Sequence, residues 1–208
     1  MKNIFMVDNM DDPKTNSILD EGNRLFLKKK FNESIQYYDR ILTENSQNLS
    51  ALNNKGYALS KLKEYEKAIE CYNVGLTFFP DDLSIQVNKI SALRKMKQFS
   101  ESLDLCNKIL ENFPNYNIVL YHKERILFSM KNFDDSILCC NQILDDYPDN
   151  ADVLYDKSCS LAMRGELEQS LEILSLAISN NSKFKNKAKS STCFEILKNN
   201  HLFEKLIS

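Results

Sequence analysis

The chain of 208 residues is 43% hydrophobic and 27% charged, with a formal charge of −2. That balance supplies no basic field for nucleic acid or an anionic surface. Four glycines and four prolines argue against Gly-rich phosphate loops and against all-β folds, which need many tight turns. No apolar run approaches the ~18 residues a membrane span needs, so membrane insertion is not expected. Residues 1–14 read as a polar, flexible leader whose apolar patch, residues 4–7, is too short for a signal peptide. A cytoplasmic location is the matching expectation.

From residue 15 onward the chain repeats. Pro80, Pro114 and Pro148 are spaced by 34 residues. At the same interval Leu25, Leu59, Leu93, Leu127 and Leu161 share one register. A second holds Ser34, Ala68, Ser102, Ser136 and Ser170, all small, and a third holds Ile35, Ile69, Leu103, Ile137 and Leu171. Five units follow, at 15–48, 49–82, 83–116, 117–150 and 151–184. Within each, apolar residues recur at three- and four-residue steps on either side of a short polar turn, as in Tyr65, Ala68, Ile69, Tyr72 and Leu76. This is the spacing of two amphipathic helices. The turns are expected at Lys30, Glu64, Gln98, Asn132 and Gly165-Glu166. Asp81-Asp82, Asn115 and Asp149-Asn150 are placed to cap the helices that follow the prolines. Helices of about 14 residues are marginal alone in water. Each hairpin must therefore stack on its neighbours.

These columns resemble the tetratricopeptide repeat, whose unit has 34 residues. The second unit is most similar, with Gly56, Leu59, Tyr65, Ala68, Tyr72, Gly75 and Pro80 at the favoured positions. The resemblance covers residues 15–184 and implies an all-α, right-handed superhelical solenoid of antiparallel helix hairpins. The eighth position departs from the pattern at Ile90, Glu124 and Ser158. The twenty-fourth departs at Cys106, Cys140 and Leu174. Glu124 is expected either at a wet edge or in a widened helix contact. Residues 185–208 begin like a sixth unit and then diverge. Phe194, Leu197, Leu202, Phe203 and Leu206 read as short amphipathic helices closing the array.

The six cysteines include no C-x-x-C pair, so neither a zinc nor a redox site is expected, and most fall on apolar helical positions. The two histidines, His122 and His201, have no nucleophile in register with them. The chain is therefore read as non-catalytic, with no metal site and no cofactor. Binding is the expected role. The resemblance implies a concave face lined by the first helix of every unit. Its candidate contacts are Asn23, Asn53, Asn54, Tyr57, Asn88, Tyr121, His122, Arg125 and Tyr155. Asparagine amides both donate and accept, so they suit the backbone of an extended peptide, while tyrosines supply apolar contact and selectivity. The expected function is an adaptor or scaffold that binds an extended segment or helix of a protein partner, acting as a monomer. A structural or self-assembling array working through its convex face or ends is the alternative. Family members that hold acidic chaperone tails use a two-carboxylate clamp of lysines and an arginine. The corresponding residues here, such as Leu19, Asn23, Asn54, Ser84 and Asn88, lack the cations in every register, so that partner is not expected.

Overall fold

The computed structural model describes residues 13–208; most of the expected leader lies outside the described residues. The described residues are all-α, with twelve α-helices, one 3-10 turn and no strand. They divide into two compact units, one running to Lys97 and the other from Gln98 to Ser208. No described helix is long and apolar enough to cross a membrane.

The first unit contains α1 (Pro13–Leu27), α2 (Phe31–Glu44), α3 (Leu49–Lys61), α4 (Tyr65–Phe78) and α5 (Leu83–Lys95). Each helix packs on the next, and α3 also meets α1 and α5. Leu25, Tyr38, Ile41, Leu52, Leu59, Tyr72 and Ile85 are buried. The small-residue column lies inside the hairpins. Ser34 and Ala68 are completely buried, and the Ser34 hydroxyl donates to the Phe31 carbonyl at 2.8 Å. Glycine at the eighth position permits a close crossing. A Cβ on Gly22 would come within 2.8 Å of the Tyr38 ring, and one on Gly56 within 2.5 Å of the Tyr72 ring.

The second unit contains α6 (Phe99–Asn112), α7 (Asn117–Ser129), α8 (Phe133–Asp146), α9 (Ala151–Arg164) and α10 (Leu167–Asn180). It closes with α11 (Lys183–Ser190), a 3-10 turn (Thr192–Leu197) and α12 (His201–Ile207). This closing segment carries Phe184, Phe194, Leu197 and Phe203 into one core with Leu154, Tyr155 and Leu174. Its Leu202 stays exposed. Glu124 does not lie at a wet edge. It is 2% exposed, and its Oε1 accepts from the Ser136 hydroxyl, which also meets the Ser160 hydroxyl at 2.9 Å. The carboxylate fits because the column that holds Tyr38 and Tyr72 in the first unit holds the smaller Cys140 here.

Local signals explain the helix ends, with two differences from expectation. Asn48, Asp82 and Asn150 cap α3, α5 and α9 by accepting from backbone N–H groups. Asn115 does not cap α7. The residue preceding that helix is Tyr116, which makes no side-chain cap bond. The turns pivot one residue earlier than the polar pattern indicates. Lys29, Lys63, Lys97 and Lys131 all have φ between 61° and 66°, and Gly165 has φ 98° in the same register. A left-handed conformation costs a non-glycine residue about 1–2 kcal/mol, a strain only the fifth unit avoids.

Candidate functional site

In the first unit the first helices of successive hairpins present a row of half-buried amides. The Nδ2 of Asn54 on α3 donates to the Oδ1 of Asn23 on α1 at 2.9 Å. The same oxygen accepts from the Tyr38 hydroxyl at 3.0 Å. One step along, the Nδ2 of Asn88 on α5 donates to the Oδ1 of Asn53 at 2.8 Å. The asparagines therefore hold one another in fixed orientations. Among the described residues these bonds leave the Oδ1 of Asn54 and of Asn88 as acceptors for a ligand. Beside them Tyr57 is 40% exposed. Its ring stacks on Phe26 with centroids 5.2 Å apart, and the Lys61 ammonium lies 4.7 Å from its centroid. The result is a rigid aromatic platform next to oriented amides.

The second unit builds a charged counterpart. Arg125 on α7 lies over the Tyr121 ring, 4.2 Å from its centroid, and donates to the Asp156 carboxylate on α9 at 3.0 Å. The interval of 31 residues is the same as that of Asn23 and Asn54. Lys187 from α11 approaches the other oxygen of Asp156 at 4.0 Å. Burial raises the Asp156 carboxyl above its ordinary range, against the pull of Arg125 and then Lys187. Burial also acts to lower the Arg125 guanidinium, but Asp156 and Tyr121 hold it above its usual value. His122 is half-buried on the same helix.

Tyr155 is not exposed, as a groove contact would be. It is 2% exposed. Phe184 stacks on its ring at 4.8 Å, Phe194 meets it edge-on at 5.8 Å, and the Lys187 ammonium sits 3.9 Å from its centroid. Its position on α9 faces the expected side, but the closing segment covers it. Tyr155 is a core residue and not an accessible contact. Sequence reasoning also missed Tyr38, which orients Asn23 from the second helix, and Lys187, which neutralises Asp156 from the closing segment. Nothing local in α9 announces Lys187, because its approach depends on how a non-repeating segment folds back.

The family model described as tetratricopeptide repeat matches residues 50–82, which include most of α3, all of α4 and the centre of the amide row. That match covers a single repeat. The described helices share the tetratricopeptide-repeat fold. Solved tetratricopeptide-repeat structures share this fold at low identity. One is MamA from Desulfovibrio magneticus RS-1, with 14% identity, a TM-score of 0.74, and coverage of 86% of this chain and 98% of that one. Another is YrrB, described as a TPR protein with an unusual peptide-binding site, with 18% identity, a TM-score of 0.67, and coverage of 84% and 91%. A third is TTC0263, a thermophilic TPR protein of Thermus thermophilus, with 15% identity, a TM-score of 0.66, and coverage of 83% and 96%. No curated protein sequence matches the chain. Among the described residues no group of histidine, cysteine and carboxylate side chains is arranged to hold a metal ion.

Proposed function

We propose that this chain is a non-catalytic interaction module that binds an extended peptide segment of a protein partner on the amide row of α1, α3 and α5. The observation that carries this reading is the pair of amide–amide bonds, Asn54 to Asn23 and Asn88 to Asn53. They orient two carbonyl oxygens beside the exposed Tyr57 before any ligand arrives. A peptide backbone N–H can meet each oxygen without breaking the row, and a side chain can lie on the Tyr57–Phe26 stack. Pre-orientation lowers the ordering cost of binding. A few hydrogen bonds of about 1 kcal/mol each plus one aromatic contact correspond to a weak affinity, on the order of 0.1–1 mM. Tyr121, His122 and Arg125 form a second contact set in the other unit, suited to a partner's polar or aromatic side chains. The same reading makes the chain a cytoplasmic monomer; light scattering that found a stable oligomer would favour the self-assembling alternative.

The test is selection of binders from a displayed library of linear peptides, followed by titration of a selected peptide by fluorescence anisotropy. Asn54→Ala and Asn88→Ala are each expected to weaken binding about fivefold, the equivalent of one hydrogen bond. Unchanged affinity in both variants would refute the amide row as the binding surface.

A further inference from the structure

Two of the six cysteines belong to one local cluster. Cys159 sits on α9 and Cys193 in the 3-10 turn, a full repeat of 34 residues later in the chain. The turn packs against α9, Cys193 packs on the core that contains Cys159, and each thiol is the strongest influence on the ionisation of the other. Both are unbridged. Their accessibility differs. Cys159 is 5% exposed, whereas Cys193 is half-buried at the start of the turn. The Cys193 N–H donates to the Ser191 hydroxyl at 3.3 Å, which holds the start of the turn. Cys139 and Cys140 are adjacent in the chain and buried in the α8 core, away from this cluster.

We propose that Cys159 and Cys193 are a reversible disulfide site that fastens the closing segment to α9 when the chain meets a small-molecule disulfide such as oxidised glutathione. The chemistry runs by exchange. The Cys193 thiolate attacks one sulfur of the small disulfide, forming a mixed disulfide and releasing one small thiolate. The Cys159 thiol, whose ionisation Cys193 and burial both oppose, then attacks the Cys193 sulfur, its proton passing to the second small thiolate as that group leaves. Two protein thiols are oxidised to one disulfide, and one small disulfide is reduced to two thiols. The unequal exposure sets the order. The hydrogen bond from Cys159, with a second contribution from Ser191, pulls the Cys193 thiol below its ordinary value despite burial. That raises the fraction present as the attacking species.

The consequence is local. Phe184, Phe194 and Phe203 are contributed by the closing segment, and the first two pack directly on Tyr155. A bond between α9 and the turn limits the opening of that segment. The experiment uses the full reduced chain, equilibrated under native conditions with oxidised glutathione and read by intact mass, peptide mapping and amide exchange. The expected result is loss of two hydrogens, one cross-linked Cys159–Cys193 peptide, and exchange across residues 183–207 slowed about tenfold. Cys193→Ser should abolish both the cross-link and the slowing while keeping the helical circular-dichroism spectrum of the parent. A lasting glutathione adduct on Cys193 without a cross-link overturns the proposal. So does absence of any reaction, bridging that involves Cys71, Cys106, Cys139 or Cys140 instead, or a cross-link that leaves exchange unchanged.

Discussion

Replacing Gly56 with alanine sets two physical effects against each other. Helix propensity alone favours alanine by about 1 kcal/mol at a helix interior. Gly56 lies inside α3, but an added Cβ would come within 2.5 Å of the Tyr72 ring, which is completely buried. The ring has little room to retreat, because its hydroxyl lies 3.5 Å from that of Ser60. Overpacking of this kind costs about 1–3 kcal/mol. The close contact outweighs propensity, so Gly56→Ala is expected to lose about 1 kcal/mol. The chain contains its own control. Where the glycine column holds Glu124, the facing column holds Cys140. Volume is exchanged between the two columns. In a Tyr72→Cys background, therefore, Gly56→Ala should change sign and stabilise by about 1 kcal/mol, a coupling of about 2 kcal/mol. Urea unfolding of the four proteins, followed by circular dichroism under reducing conditions, measures the cycle. Stabilisation by Gly56→Ala in the parent, or equal effects in both backgrounds, would show that the Tyr72 contact does not select glycine.

Two further expectations follow from burial. Tyr155→Ala should cost about 3–5 kcal/mol in the local stability of α9 and the closing segment, seen as faster amide exchange over residues 183–207; a variant that lost peptide affinity with unchanged exchange would return Tyr155 to the binding surface. Burial pushes the Tyr38 phenol from 10.0 to about 12. A raised folded-state value means its contribution is complete below pH 10 and is lost as pH rises through 12. Tyr38→Phe should therefore show a shallower loss of stability across that interval in urea midpoints, and a slope equal to the parent's would contradict the assignment.

Much of the candidate site was legible because it rests on helical register. The repeat register, through the family it resembles, assigned Asn23, Asn53, Asn54, Asn88, Tyr57, Tyr121 and Arg125 to one side of their helices. What spacing could not express was their mutual bonding. Asn54 meets Asn23, but Asn88 meets Asn53 and not Asn54. Tyr155 shows the same limit more sharply. Its register is that of Tyr121, yet one is half-buried and the other fully buried, because Phe184 and Phe194 of the non-repeating segment pack on the Tyr155 ring.

The sequence by itself determined the all-α hairpin fold. The 3.6-residue period and the 34-residue interval are properties of the chain read locally, and each short helix needs a neighbour to bury its apolar side. Tertiary structure decided what the period leaves open. It selected the left-handed lysines at Lys29, Lys63, Lys97 and Lys131, which precede the polar turn residues by one position. It buried Glu124 against Ser136, because a cysteine at the facing column leaves room that tyrosine would fill. It also brought Cys193 to Cys159 and Lys187 to Asp156. Those contacts join segments whose meeting depends on where the last repeat ends and how the residues beyond it return to the core.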